Sequence, residues 1–204
     1  MIEASAPGAA ARLLARQGRE LRQGRLSLAD TLAAMQASGF ALVLAVLATP
    51  NLLPSPGVPL GVVLGIPLLV LALQYAGGAA RPRFPARLVE DRRAAAVFGR
   101  ALRWLAPRLR WWERRVGRRP LGIGERARRW IGGGWIALMA VVIILPVPFG
   151  NTLPALSALL IGAALFLDDR LGLGLGLLAG LAGIAYALAV AVGAWELASL
   201  AAGR

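Results

Sequence analysis

The chain contains no cysteine, no histidine and no lysine; all 23 basic residues are arginine, set against only 10 acidic ones. The missing lysine is most simply a compositional bias of the source genome, but its chemical consequence stands. A thiolate nucleophile, an imidazole base, a Schiff-base lysine and a His/Cys metal site are all excluded. Any catalysis would fall to carboxylates, hydroxyls, arginine or an oxygen-ligated metal. The composition therefore argues against an enzyme and calls for no cofactor.

Charge is missing over long stretches as well. No charged residue occurs at 37–80 or at 130–167, and the whole chain is 58% hydrophobic with 16% charged residues. Runs this continuous are too apolar for a soluble domain. The reading is an all-α integral membrane protein of 204 residues, one domain of about four to six membrane segments with no large second domain. The first 36 residues hold Arg12, Arg16, Arg19, Arg22 and Arg25 but no apolar core of signal-peptide length. The first apolar run is thus expected to act as an uncleaved insertion signal.

What is present organises into five segments: a basic cytoplasmic lead (1–36), a first membrane repeat (37–78), an arginine-rich linker (79–129), a second membrane repeat (130–170), and a glycine-rich membrane helix with the C-terminus (171–204). In the lead, Ser27 is a candidate N-cap with Asp30 at the capping-box position. Leu28, Leu32 and Met35 follow at helical spacing.

Each repeat is an apolar run, a proline-rich polar tip and a second apolar run. The first passes through Pro50, Asn51, Pro54, Pro56 and Pro59 to Gln74; the second passes through Pro146, Pro148, Asn151 and Pro154 to Asp168 and Asp169. Pro54-Ser55-Pro56 aligns with Pro146-Val147-Pro148, and after three extra residues the spacing matches again from Pro59 and Pro154 onward. The four runs, 37–53, 58–75, 130–145 and 153–167, are each shorter than the ~20 residues that span ~30 Å of hydrocarbon. Two readings follow: re-entrant hairpins whose broken tips meet at a mid-membrane site, or two plain crossing hairpins with proline-rich loops. A fifth run, 171–197, is long enough to cross alone. It carries Gly176 and Gly180 at Gly-x-x-x-Gly spacing, a packing face within or between protomers.

The linker segment 81–129 holds sixteen arginines against Glu90, Asp91, Glu113 and Glu125, a net charge of +12. Arginine clusters in short loops mark the cytoplasmic side. The N-terminus and linker should both face the cytoplasm, with each repeat entering and leaving on that side. Phe98, Ala101, Leu105, Leu109, Trp112 and Val116 recur at the spacing of one helix face. This predicts a basic interfacial helix, kinked or broken near Pro107, lying on the inner leaflet and drawn to anionic lipid. Arg100, Arg103, Trp104, Trp111, Trp112 and Arg114 are the lipid-interface candidates. Nucleic-acid binding fits poorly, because the basic region sits between membrane hairpins and shows no binding fold.

The polar candidates for a substrate site are Asn51, Ser55, Asn151 and Thr152 at the tips, with Gln74, Asp168 and Asp169 at the repeat ends. Proline stops a helix from passing straight through, and its freed backbone groups need protein or water partners at membrane depth. The tip side chains could supply these as helix caps or could bind a polyol or phosphate. The aspartates could relay protons or bind cations, but an ion pair with neighbouring arginine is the simpler role.

Several of these residues together resemble a known family, the ExoD exopolysaccharide-synthesis proteins. The similarity rests on Leu145-Pro146-x-Pro148-x-x-Asn151-x-Leu153-Pro154-Ala155 with its acidic end at Asp168. It is joined by Ser27-Leu28, by Gln74 followed by Arg81-Pro82-x-x-Pro85, and by Glu113-Arg114 followed by Arg118-Arg119-Pro120. It covers about residues 26–198. Two places depart from the pattern: Asp169 stands where the resemblance implies glycine, and Arg83-Phe84-Pro85 stands where it implies Trp-Leu-Pro. The resemblance implies a bacterial inner-membrane, multi-pass protein linked to exopolysaccharide production, with no reaction attached to particular residues. Three functions stay open: a transporter-like component moving an ion, lipid or glycolipid precursor; a non-transporting accessory subunit of a polysaccharide synthase; and a membrane enzyme acting on a lipid-linked substrate. A homodimer is expected, since one such chain offers few helices to enclose a pathway.

Overall fold

The computed structural model describes residues 9–36, 39–52, 60–84, 90–115, 120–145, 147 and 150–203. Among them every regular element is helical. The lead forms α1 (Ala9–Arg22) and α2 (Leu28–Gln36). The start of α2 is the expected capping box. Ser27 N–H donates to Asp30 Oδ2 at 3.1 Å, and Asp30 N–H donates back to Ser27 Oγ at 3.0 Å. The Ser27 hydroxyl, and after it the Ser27 N–H, hold the Asp30 carboxyl below its ordinary range.

The first hairpin is α3 (Phe40–Ala48), a 3-10 turn over Thr49–Leu52, and α4 (Leu60–Ala76). The second is α6 (Glu125–Ile144) and α7 (Thr152–Leu167). Between them runs α5 (Arg92–Arg115), unbroken through Pro107, and α8 (Arg170–Ala201) closes the chain. The first tip, including Pro54, Ser55, Pro56 and Pro59, lies outside the described residues, as do Pro146 and Pro148 in the second and Val116 in the linker.

The two hairpins interlock rather than stand side by side: α3 packs chiefly on α7, and α4 on α6. Small residues set both crossings. A Cβ on Gly162 of α7 would lie 2.8 Å from Ala45 N and 3.0 Å from Ala41 O, and a Cβ on Gly133 of α6 would lie 2.8 Å from Ala76 N. All nine residues of α3 are buried, so this short helix is the centre of the bundle. One end, the base, gathers the hairpin ends: the Phe40 and Tyr75 rings are 5.3 Å apart, and Phe166 sits 3.6 Å from where a Gly39 Cβ would be. The chain breaks occupy the opposite end, the tips.

The packing decides what covers two helix faces. The apolar face of α5 is covered by protein: Phe98, Ala101, Leu102, Leu105 and Leu109 are buried, and α1 is the main helix packed on α5. α1 presents a matching stripe of Ala11, Leu14, Gly18 and Leu21, and Gly18 and Gly99 let the two helices close. The inner leaflet is therefore not what covers this stripe. What α5 leaves exposed is Arg100, Arg103, Trp104, Trp111 and Arg114, while Trp112 is half-buried. The glycine face of α8 packs within the chain. Gly172, Gly176, Gly180 and Gly183 are its buried residues, and added Cβ atoms there would strike Trp112, Ile161, Ser157 and Pro154 in turn.

Candidate functional site at the paired chain breaks

At the first break α3 tightens into its 3-10 turn ahead of the prolines. Thr49 Oγ1 donates to Ala45 O at 3.0 Å, and Asn51 Nδ2 donates to Leu47 O at 3.3 Å. Both satisfy carbonyls freed at a helix C-terminus. Asn51 is 3% exposed, and its Oδ1 is buried with no hydrogen-bond partner among the described residues.

At the second break Asn151 stands in the N-cap place of α7, but its side chain does not cap. A Cβ on Gly61 would lie 2.6 Å from Asn151 Nδ2 and 2.5 Å from Ile143 O. The missing side chain at Gly61 thus makes room for the asparagine amide between the first turn of α4 and the last turn of α6. Asn151 Oδ1 is likewise buried without a partner among the described residues. The 3-10 turn bearing Asn51 packs against both α4 and α7, so both breaks belong to one end of the bundle. Thr152, half-buried, begins α7 beside Asn151; Ser55 lies outside the described residues.

An amide oxygen buried without a donor costs about 1–3 kcal/mol. Two of them at one end of an apolar bundle form a pair of acceptors that a hydroxyl, an N–H or an ordered water can satisfy.

The base residues are engaged differently. The Gln74 amide makes a two-point contact with the backbone of Arg83, accepting from its N–H at 2.8 Å and donating to its carbonyl at 3.1 Å. Asp168, in the left-handed region at φ 56°, accepts from Arg128 Nη2 and from Leu121 N–H. Asp169, 2% exposed, caps α8 by accepting from Leu171 N–H and Gly172 N–H, and it also accepts from Trp112 Nε1 at 3.1 Å. These contacts fix loops and helix ends. Among the described residues no three Asp or Glu side chains gather as a metal site.

One polar link had no signal in the sequence. Ser157 Oγ is fully buried, donates to Gly176 O at 2.6 Å and accepts from Trp135 Nε1 at 3.0 Å, tying α6, α7 and α8 together. A single serine in an apolar helix looks like filler until its neighbours are known.

These features define an all-helical bundle of interlocked apolar hairpins. Two of its helices, α6 and α8, are long and apolar enough to cross a membrane. The chain belongs to the ExoD exopolysaccharide-synthesis family, whose pattern it matches over residues 10–189. It is also similar to an uncharacterized protein, slr1875, of Synechocystis sp. (strain ATCC 27184 / PCC 6803 / Kazusa). The two are 28% identical over 171 residues, covering 78% of this chain and 76% of that protein. No solved structure matches the chain.

Proposed function

We propose that the protein is a multi-pass component of the bacterial inner membrane that serves exopolysaccharide synthesis or export through a polar, transporter-like pocket at the paired tips. The observation that carries this reading is the pair of buried amide oxygens of Asn51 and Asn151, one at each chain break, which have no donor among the described residues. A tandem repeat is supported by the packing. In the alignment of the two tips Ala41 falls on Gly133, and each lies where the first helix of one hairpin crosses the second helix of the other.

The dimensions favour tips that stop inside the bilayer. Asp169 caps α8 at the base, and Gly183 meets Pro154 at the tip end. The intervening helix rises about 21 Å at 1.5 Å per residue, less than the ~30 Å of a hydrocarbon core. α8 continues to Ala201, about 27 Å further, and would complete the crossing. A substitution separates a site from a cap. Asn151→Leu should lower exopolysaccharide output about three- to ten-fold, the worth of one or two neutral hydrogen bonds, with folded protein near the parent level. Protein lost in proportion to output would assign Asn151 to capping alone.

The arginine-rich base faces the cytoplasm in this reading. The absence of native thiols makes the orientation directly measurable. Cysteine placed at exposed Ala80, in the base loop between Gly78 and Arg83, should resist an impermeant thiol reagent applied to intact cells, and cysteine at exposed Ala202 should react. The reverse pattern would invert the topology. The accessory-subunit reading is favoured by one observation, the outer half of α8. Leu188, Val192 and Trp195 share one side of it and are 57–76% exposed, a face that a helix of a synthase could cover.

A further inference from the structure

The surface between α5 and α7 carries a concavity whose lining differs in chemistry from the tip asparagines. A groove of about 600 Å3 runs between the two helices, floored by Leu156, Leu159, Leu160 and Ala163 of α7 and walled by Leu105 and Leu109 of α5. Its volume falls within the ~300–1,000 Å3 of small-molecule sites. The rim is built from indole and guanidinium. Arg108 lies 3.5 Å over the Trp104 ring and donates to Trp104 O at 2.7 Å, so its guanidinium is held against its own helix.

Pro107 and Trp111 line the groove and also a smaller adjoining hollow of about 320 Å3, whose other walls are Arg110 and Arg114. These two arginines are four residues apart on one exposed face of α5. Neither pairs with a carboxylate among the described residues. An apolar trough thus leads into a pair of guanidinium groups with no carboxylate partner among the described residues, with Pro107 and the Trp111 indole at the junction. That sequence of surfaces matches an amphiphile whose tail is hydrocarbon and whose head is a phosphate.

We propose that this groove binds one anionic phospholipid, its phosphate held by Arg110 and Arg114 and one acyl chain lying against the α7 leucines. The choice of a lipid over a soluble anion follows from the continuity of the two hollows, since an anion alone has no use for the leucine floor. The choice of a bilayer lipid follows from the membrane placement proposed above, on which this inference rests. It adds a defined binding site to an α5 face otherwise notable only for its charge. Bound there, the lipid would fasten α5, and through it α1, to α7.

The test is retention of lipid by the full chain in detergent, read by native mass spectrometry with phosphatidylglycerol or phosphatidylcholine in the micelles. One phosphatidylglycerol should be retained about ten-fold more strongly than phosphatidylcholine, as expected for charge-assisted contacts. R110Q/R114Q should erase that preference, and Leu156→Trp, which fills the trough, should reduce retention of both lipids. R92Q/R93Q removes equal charge from the same helix away from the groove and should behave as the parent. Four outcomes overturn the proposal: equal retention of the two lipids, loss in R92Q/R93Q matching that in R110Q/R114Q, no effect of either groove variant, or full displacement by inorganic phosphate. Asn151→Leu should keep the lipid, so failure here and failure of the tip pocket give different results.

Discussion

Valine at Gly162 or at Gly133 should keep the hairpins from assembling, whereas alanine at Gly134 should leave them intact. At Gly162 the first added carbon would already meet Ala45 N at 2.8 Å and Ala41 O at 3.0 Å; at Gly133 it would meet Ala76 N at 2.8 Å and Ala72 O at 3.0 Å. These are backbone atoms of packed helices, which have no rotamer to turn aside. Overfilling a packed interior costs about 1–3 kcal/mol where side chains can adjust, and valine adds two branches beyond that first carbon. Against a total stability of about 5–15 kcal/mol, losing either crossing takes a large share. Gly134, one residue along α6, has no atom within 4 Å of its would-be Cβ. Alanine there should be neutral or stabilise by about 0.5–1 kcal/mol through helix propensity. Size-exclusion profiles and melting temperatures in detergent distinguish the cases. A monodisperse Gly162→Val protein with the parent melting temperature would mean that α3 and α7 do not approach as closely as described.

The hairpins were legible because composition and proline mark them. The runs 58–75 and 153–167 match α4 and α7 to within two residues at either end. The run 130–145 fell short because α6 begins at Glu125, through Arg126, Arg128 and Arg129. Hydropathy sees only the apolar part of a helix whose first turn and a half is charged. The capping box at Ser27 was legible for the opposite reason, being wholly local.

The covering of α5 was not legible. A period of 3.6 shows that a face must be buried but not what buries it, and a lipid surface and the stripe of α1 satisfy the same pattern. The tip asparagines were readable as polar residues in apolar breaks. That Asn151 does not cap its own helix was not, since N-cap preference speaks for the opposite. Departures from the family pattern are informative too. At 169 the resemblance implies glycine, and the aspartate there ties α5 to the start of α8.

That aspartate is the other place where one substitution should cost most. Asp169→Ala should destabilise the protein by about 2–4 kcal/mol, combining the loss of a helix N-cap, typically about 1 kcal/mol, with the stranding of a buried donor, about 1–3 kcal/mol. Its Oδ2 accepts from Gly172 N–H at 2.9 Å and Trp112 Nε1 at 3.1 Å, and its Oδ1 accepts from Leu171 N–H at 3.2 Å. One carboxylate therefore closes the first turn of α8 and pins the C-terminal part of α5, while its negative charge suits the helix N-terminus. Alanine leaves all three donors without it in a site where Asp169 is 2% exposed. Asp169→Asn keeps an acceptor in place and should lose clearly less. Asp168→Ala is the control next door. The Asp168 side chain is 46% exposed in its pair with Arg128, and a pair that open to solvent is worth at most about 1 kcal/mol. Glycine at 168 would also relieve the left-handed backbone there. Thermal unfolding in detergent should rank Asp169→Ala lowest, with Asp169→Asn between it and the Asp168 variants. The same loss from Asp168→Ala would make the Arg128 pair, and not the α8 cap, the link that secures the base.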